Sequence, residues 1–380
     1  MPVYDFTLTM LSPVHIGTGE DIGPHEYVVK PAAQEGQYIL HVIDLPAFLG
    51  SLSPPDRRAF DEAVARDALF YIRRFVAERV DVDRFSRYWC STSQEFYQRY
   101  QKGLQNDAAQ LLVNTMTRTG RDACPYVPGS SLKGALRTAV LSAIAGQRRD
   151  PAPLHELAAR NPSGFEPEVL GYASRFTDRQ GNPRTRAEIR ADPFRAVKVS
   201  DAPLLDDALS VDPVEIFNPS RPAGAPDPAG IQMYYEMTYS VLDGQDVRAR
   251  GTIAIDDRLP TTRTRRDERS WAFDACVARP VTVHQILDAC RSFYGERLRK
   301  EHEDFYRRRG DLERVGNGLM TLVAQMKGHE TLVRLGRFSH FECVTVAGFA
   351  RPGRRGAGKT RTLAAGELPM GWAELTVEGL

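Results

Sequence analysis

The chain has 380 residues, of which 42% are hydrophobic and 26% are charged, and this composition is typical of a globular protein long enough for two domains. Its 50 Lys and Arg residues nearly balance 49 Asp and Glu residues, which argues against a uniformly basic coat for nucleic acid. There is no apolar run of about 18 residues and no basic-then-apolar start, so the sequence predicts neither a transmembrane helix nor a secretory signal.

The cysteines stand apart along the chain, at positions 90, 124, 276, 290 and 343, and no two form a C-x-x-C pair. This spacing indicates neither a disulfide framework nor a zinc site. We therefore expect small core thiols in a reducing cytoplasm, with no metal and no cofactor.

Strand patterns come first in the chain. Residues 3–10 alternate apolar and polar side chains, which predicts a half-buried strand. Residues 27–30 and 37–43 predict two further strands, with residues 34–36 as the turn between them.

Helical spacing follows. Residues 57–80 have apolar side chains near helical spacing after a Ser-Pro-Pro-Asp start, and residues 84–116 also predict helix, with a break at Gly103. We expect residues 50–118 to form a helical insertion between strand-rich parts.

The clearest helical pattern covers residues 131–146, where apolar side chains recur on one face. Ser130 or Ser131 can cap this helix, and Gly146 can end it. The remaining predictions, in chain order, are a long loop at 147–194, strands at 196–199 and 214–217, a loop at 218–230, a hairpin of 231–242 and 247–255 turning at Asp243-Gly244, a helix at 281–309, and strands at 331–335 and 372–377. Together these elements predict an α+β fold with two small sheets, each backed by helices, on either side of about residue 195.

Positive charge is concentrated in two segments. Residues 118–149 hold six cations and one acid, and residues 344–361 hold five cations and no acid. Such patches on a near-neutral chain favour a groove for a polyanion, and the alternative is an ordinary solvated surface of an arginine-rich protein.

The segment PGSSLKGALR, residues 128–137, combines a glycine, two hydroxyls and two cations at the start of the predicted helix. Free N–H groups and the positive end of the helix dipole favour an anion there. Lys133 and Arg137 are one turn apart, so the segment predicts a phosphate cradle. The alternative is a capped helix with two surface cations.

The segment SPVHIGTGE, residues 12–20, directly follows the first predicted strand. Gly17 and Gly19 allow another backbone to approach closely. His15 could act as a general acid or base, because only histidine titrates near neutrality without perturbation. The alternative for His15, and for His25, is a satisfied loop or core histidine.

Two C-terminal segments also have functional patterns. Residues 353–360 match the nucleotide-binding pattern G-x-x-x-x-G-K-[ST], but too few residues follow for the sheet of such a fold, so a basic glycine-rich loop that contacts phosphate is favoured. In the segment 333–341, Arg334 and Arg337 are interleaved with aromatic side chains beside an extended backbone, which suits single-stranded RNA. The alternative is buried aromatics that close a sheet.

In this order, LSPVHIGTGED, YVPGSSLKGALRTAVL and the C-terminal set RLGRFSHF, KTRTL and LPMGWAEL resemble the RAMP superfamily of CRISPR RNA-binding proteins. The matching segments cover roughly a quarter of the chain. The C-terminal set is similar to a subunit that caps the type III-A (Csm) effector filament near the 3′ end of the guide RNA (crRNA).

This resemblance implies two ferredoxin-like (RRM-like) domains, residues 1–195 with the helical insertion at about 50–118, and residues 196–380. It implies a cytoplasmic, non-catalytic RNA-binding subunit that aids crRNA maturation and target RNA binding. The implied partners are crRNA, target RNA, the neighbouring Csm backbone subunit and other Csm subunits, and no membrane.

The residues expected to bind RNA combine the family motifs with the two basic C-terminal segments. They are His15, Gly17, Gly19, Ser130, Ser131, Lys133, Arg137, Arg334, Arg337, Lys359 and Arg361. Two alternatives remain at this point. One is a metal-independent crRNA-processing endoribonuclease that uses His15, and the other is a nucleotide hydrolase that uses residues 353–360.

Overall fold

The computed structural model describes residues 1–105, 111–120, 122–220, 233–259, 264–265, 271–272, 277, 279–346, 348–349 and 358–380. The strands are β1 (Val3–Met10), β2 (Gly17–Ile22), β3 (Tyr27–Pro31), β4 (Tyr38–Ile43), β5 (Ser86–Thr92), β6 (Val113–Met116), β7 (Tyr126–Val127), β8 (Ala173–Thr177), β9 (Pro183–Ala187), β10 (Val197–Val199), β11 (Ala202–Pro203), β12 (Leu209–Phe217), β13 (Met233–Thr238), β14 (Arg248–Ile255), β15 (Thr264–Arg265), β16 (Trp271–Ala272), β17 (Glu330–Arg334), β18 (Arg361–Ala364), β19 (Leu368–Pro369) and β20 (Trp372–Val377). The α-helices are α1 (Leu45–Ser51), α2 (Pro54–Ala65), α3 (Leu69–Arg79), α4 (Val82–Phe85), α5 (Gln94–Gly103), α6 (Gly129–Gly146), α7 (Ala152–Arg160), α8 (Pro162–Leu170), α9 (Val283–Asp304), α10 (Gly310–Ala324) and α11 (His340–Cys343).

An antiparallel sheet of five strands joins the two ends of the chain, with the strand order β10-β14-β1-β20-β17. The central strand β1 pairs with β14 on one side and with β20 on the other. Phe6, Leu8 and Met10 of β1 are buried, as the alternation of the sequence predicts. The last strand of the chain is therefore a neighbour of the first.

Helices α6 and α9 pack against each other and against this sheet. Leu132 and Leu136 of α6 and Ile286 and Tyr294 of α9 share one hydrophobic core with the strands. The N-terminus of α9 is fixed by a capping box, in which the Thr282 side chain accepts from the Gln285 backbone N–H and the Gln285 side chain accepts from the Thr282 backbone N–H.

The second large sheet has nine described strands and mixed pairing. Seven follow the order β2-β6-β13-β12-β5-β4-β3, and β18 and β19 attach through β12. The pairs β12–β5 and β13–β6 are parallel, and the other pairs are antiparallel. Strands from both sides of residue 195 lie in both large sheets, so the predicted boundary at 195/196 does not separate them.

Several sequence predictions are confirmed in these elements. The strand at 3–10, the β3–β4 pair with its turn at residues 34–36, the helix α6 ending at Gly146, and the closing strands β17 and β20 are present. The long helix predicted at 281–309 is α9, which is followed by a short 3-10 turn at Tyr306–Arg308.

Other predictions are wrong. The segment 84–116, predicted as helix, contains strands β5 and β6 around α5, so the 50–118 insertion is not purely helical. The loop predicted at 147–194 contains α7, α8 and the β8–β9 hairpin. Strands β13 and β14 do not form the predicted hairpin but lie in different sheets, because the chain crosses between the sheets through a 3-10 turn at Val241–Asp243 that ends at Gly244.

Candidate nucleic-acid interface

A groove with a cavity of about 430 Å³ brings together the segments that the sequence analysis singled out. Three segments supply most of its lining, namely residues 15–20 after β1, one face of α6, and the turn 334–339 after β17. Asn114 and Thr115 of β6 add polar groups. More than 300 residues of chain separate the first segment from the last, so the sheet pairing is what makes them neighbours.

The loop after β1 is anchored to the core on two sides. The Ser12 hydroxyl accepts from the Trp372 backbone N–H at 2.9 Å, and the Ser12 backbone N–H donates to the Trp372 carbonyl at 3.0 Å. On the other side, the Thr238 side chain accepts from the Val14 backbone N–H at 3.0 Å. The loop is therefore clamped between the last strand of the five-stranded sheet and β13 of the other sheet.

His15 lies at the floor of the groove and is packed between glycines. A Cβ placed on Gly17 would be 2.5 Å from His15 Nε2, and one on Gly336 would collide with the His15 carbonyl oxygen. Gly336 also has a φ of +82°, which a side chain would strain. The Arg337 backbone N–H donates to that same His15 carbonyl at 3.0 Å, so the turn after β17 is pinned to the His15 loop.

The imidazole of His15 is only 3% exposed and is neutral near pH 7. Burial lowers its pKa to about 4, the hydrogen bond to the Glu236 carbonyl opposes that change, and the charge of Arg337 adds to it. Nδ1 is 2.7 Å from the Glu236 carbonyl oxygen, and a carbonyl can only accept. Nδ1 therefore carries the proton, and Nε2 is an acceptor.

Helix α6 presents a face of small and hydroxyl-bearing residues to the groove. Ser131, Gly134, Ala135 and Thr138 line it. Ser130 is exposed, and Pro128 is the residue that caps α6, without a side-chain hydrogen bond, so the predicted serine cap is wrong.

The predicted cradle cations of α6 do not line the groove. Lys133 Nζ donates to the Val197 carbonyl at 2.8 Å. Arg137 forms ion pairs with Glu166 and with Asp192, the latter at 2.9 Å. Both cations therefore have protein partners, and their role as RNA ligands remains a prediction.

Two of the predicted C-terminal cations are core residues. Arg334 and Arg361 are 2% and 3% exposed, and both pair with the carboxylate of Glu301, which is 3% exposed. The Arg334 guanidinium also donates to the Met370 carbonyl at 3.0 and 3.1 Å. These contacts balance the charges of both guanidinium groups inside the protein.

Arg337 and Lys359 are exposed, and of the two only Arg337 lines the groove. Of the pattern at residues 353–360, positions 353–357 lie outside the described residues. Within the described part of the chain, no group of three or more His, Cys, Asp or Glu side chains is arranged to hold a metal ion.

The model of the RAMP superfamily matches residues 7–264, which is more than half of the chain and includes both N-terminal segments of the groove. The chain belongs to the RAMP superfamily.

Individual relatives agree with this membership. A CRISPR system Cms protein Csm5 of Mycobacterium tuberculosis is 26% identical over 241 residues, which cover 59% of this RAMP chain and 61% of the relative. The protein of the same name from Enterococcus italicus is 26% identical over 191 residues, covering 44% and 50%. The alignments thus span about half to three fifths of these relatives' lengths.

Solved structures share the fold along nearly the whole RAMP chain. One is a chain in the cryo-EM structure of a Csm–crRNA–target RNA ternary complex from a type III-A CRISPR-Cas system. Its TM-score is 0.65 at 21% identity, and the alignment covers 99% of this chain and 100% of that chain. The crystal structure of T. onnurineus Csm5 has a TM-score of 0.58 at 20% identity, with 97% of this chain and 99% of that chain covered.

Sequence reasoning missed Glu236, the buried acid whose carbonyl orients His15 in the RAMP groove. Glu236 of β13 is fully buried, its carboxylate accepts from the Met116 backbone N–H at 2.8 Å, and it lies 3.3 Å from Arg118 Nε. Its carbonyl orients His15. A lone acid within an apolar strand, YYEMT, was the available signal, because a charge in such a position requires a partner.

Burial of His15 should make the stability of the folded chain depend on pH. The folded-state pKa of His15, about 4, is below the ordinary histidine pKa of 6.5, so the unfolded chain takes up this proton first. The contribution of the neutral His15 to the free energy of unfolding is complete above pH 6.5. It is lost as pH falls to 4, and the total loss is about 3 kcal/mol. We expect the urea midpoint of His15→Asn, which keeps a donor near the Nδ1 position, to fall less between pH 7 and 5 than that of the unmodified chain. Parallel pH curves would contradict this. The contributions of other buried histidines are the same in both proteins and cancel when the two pH curves are compared.

Proposed function

We propose that this chain is a non-catalytic RNA-binding subunit of a type III-A (Csm) effector complex. In that complex it caps the backbone filament near the 3′ end of the crRNA, aids crRNA maturation and contributes to target RNA binding. Its partners are then crRNA, target RNA, the neighbouring backbone subunit and other Csm subunits, in the cytoplasm.

One observation carries the proposal, namely that three segments from opposite ends of the chain meet at one groove. The turn after β17 approaches the His15 loop through Gly336, and Gly17 beside His15 is exposed, so its backbone is accessible to a sugar–phosphate chain. Arg337 supplies an exposed cation at the same place. The names of the relatives and of the structural neighbours agree with this assignment.

The fold proposal is a ferredoxin-like unit in the five-stranded sheet. Its support is the chain order β1-α6-β10-β14-α9-β20 combined with the spatial order β10-β14-β1-β20, all antiparallel, which is the split βαβ arrangement. The proposal of a second such domain depends on the family resemblance.

The endoribonuclease alternative is weakened by the chemistry of His15. An imidazole with a pKa of about 4 is neutral at pH 7, so its Nε2 carries no proton to donate and the ring is a weak base. Incubation of the purified chain with repeat-derived RNA in EDTA, followed by a denaturing gel, tests this point. We expect intact RNA, and discrete cleavage that is lost in His15→Asn would reverse the assignment.

The RNA-binding proposal predicts a specific effect of Arg337→Ala. Loss of this one charge should weaken binding to single-stranded RNA about tenfold near 50 mM salt, because a charge-assisted contact is removed. The slope of log affinity against log salt should become shallower by about 0.7, the value for one phosphate on a single strand. Fluorescence anisotropy across a salt series measures both quantities.

The matched control is Arg66→Ala. Arg66 is 77% exposed, follows α2 and does not line the groove. We expect its salt slope and affinity to match those of the unmodified chain. Equal losses in both variants would mean that the RNA contact is diffuse, and no loss in Arg337→Ala would remove the groove from the proposal.

A further inference from the structure

The His15 imidazole is held in one orientation by contacts on several sides. Its Nδ1–H donates to the Glu236 carbonyl at 2.7 Å. The ring meets Tyr235 edge-to-face at a centroid distance of 4.9 Å and lies 6.1 Å from the ring of Phe338. Three independent contacts fix the plane of the ring, so the direction of its second nitrogen is also fixed.

That second nitrogen, Nε2, lies on the side of Gly17, where only the absence of a Cβ leaves room for it. No described residue forms a hydrogen bond with Nε2, and this nitrogen is not one of the fully buried polar atoms that lack a partner. Because His15 is one of the residues that line the groove, its acceptor nitrogen can receive a hydrogen bond there. A hydrogen-bond donor from a ligand in the groove would satisfy it.

The charges around the groove indicate what that ligand carries. Arg337 is exposed and close enough to His15 to influence it electrostatically, whereas Arg334 is neutralised by Glu301. Glu20, an exposed acid, also lines the cavity. Among the described residues that line it, the groove therefore offers one exposed cation outside an ion pair beside one fixed acceptor, which fits one phosphate with an adjacent hydroxyl rather than a polyphosphate.

We propose that His15 Nε2 accepts a hydrogen bond from the ribose 2′-hydroxyl of one RNA nucleotide whose neighbouring phosphate contacts Arg337. In RNA the 2′-hydroxyl is adjacent to the 3′-phosphate on the same sugar, so the two contacts belong to a single nucleotide. The hydroxyl is what distinguishes RNA from DNA at such a site. His15 is then a specificity-determining residue for RNA, and this inference rests on the proposed RNA-binding function.

The test uses the full-length purified chain and three strands of one sequence, with ribose, 2′-deoxyribose or 2′-fluororibose sugars. The 2′-fluoro strand keeps an RNA-like sugar but cannot donate. We expect the unmodified chain to bind the ribose strand about five- to tenfold more tightly than either other strand, the range for one net hydrogen bond. This comparison needs no variant, so it does not depend on the folding of a mutant.

Two substitutions then assign the effect to Nε2. His15→Asn keeps a donor near the Nδ1 position and removes the acceptor, so the ratio of ribose to deoxyribose affinity should fall towards one. His15→Gln can place an amide oxygen near the Nε2 position, so a preference of at least about threefold should remain.

The outcomes separate this inference from the function on which it rests. Failure to bind any of the three strands would contradict the RNA-binding proposal itself. Salt-sensitive binding with equal affinity for all three strands would overturn the His15 inference and leave the RNA-binding proposal standing. Tight binding of the 2′-fluoro strand would also overturn it, because it would mean that sugar shape or a nucleobase N–H, and not the hydroxyl, is recognised.

Discussion

Glu301→Gln should be among the most destabilising single substitutions in this chain. The carboxylate of Glu301 is the shared partner of Arg334 and Arg361, and all three groups are buried. Glutamine has nearly the same shape but no charge, so the Arg334 guanidinium would remain in the core without its counterion and that of Arg361 would keep only Glu342. Removal of one partner of a buried ionic network costs about 3–5 kcal/mol.

Urea denaturation followed by circular dichroism measures this effect, with Glu303→Gln as the control. Glu303 is on the same helix, two residues along, and is exposed. We expect the control to change the free energy of unfolding by less than about 0.5 kcal/mol. Coincident midpoints for the two variants would show that the network contributes nothing to folding.

The stabilisation that the Glu301 network gives should be lost at low pH. Burial disfavours the charged form of Glu301, but the charges of Arg334 and Arg361 overcome this and hold its pKa at about 2, below the ordinary glutamate pKa of 4.5. Because the folded-state pKa is lowered, the stabilisation is complete above pH 4.5 and is lost as pH falls towards 2. The difference in stability between the unmodified chain and Glu301→Gln should therefore narrow below pH 4.5.

This network also explains why the sequence alone could not distinguish the buried C-terminal cations from the exposed one in the groove. Arg334 looked like an RNA ligand because it is interleaved with aromatics, and Arg361 because it lies in a basic segment. Both are strand residues, and their partner, Glu301, is on helix α9, 33 residues before Arg334. A pattern within either segment contains no information about such a long-range pairing, and of the three C-terminal arginines only Arg337, within the turn 334–339, is exposed in the groove.

The cations of α6 are a different case, because the helix geometry was available from the sequence. At about 100° per residue, Lys133 is roughly 200° from Ser131 around the helix, whereas Thr138 returns close to the direction of Ser131. The hydroxyl-bearing face and the cationic face are therefore on opposite sides. A helical projection would have separated the residues that line the groove from those that pair with Val197, Glu166 and Asp192.

The topology was predictable only in part, for a physical reason. The alternation in β1 and the apolar spacing of α6 are local properties, and they give the right elements. The Asp243-Gly244 pair has the sequence of a hairpin turn, and Gly244 does adopt a φ of +82°. The strands on either side nevertheless join different sheets, since β13 pairs with β12 before it and with the distant β6, whereas β14 pairs with the distant β1 and β10.

Gly336→Ala should disrupt both the fold near the groove and RNA binding. The added methyl group would overlap the His15 carbonyl oxygen, which is a backbone atom, and the residue has a φ of +82°. Strain in a left-handed conformation costs about 1–3 kcal/mol, and overpacking adds about 1–3 kcal/mol. The chain can relieve the collision only by separating the turn after β17 from the His15 loop, and this breaks the hydrogen bond from the Arg337 N–H to His15.

The control is Gly318→Ala, outside the groove. Gly318 is helical, and a Cβ there would meet no atom within 4 Å. Alanine should stabilise α10 by about 0.5–1 kcal/mol, because glycine is the weaker helix former. Urea unfolding and RNA anisotropy on the two variants should thus move in opposite directions in stability, with the loss of RNA affinity confined to Gly336→Ala. Unchanged stability and affinity in Gly336→Ala would mean that the contact between these two loops does not shape the groove, and the convergence of the sequence motifs would then lose its functional meaning.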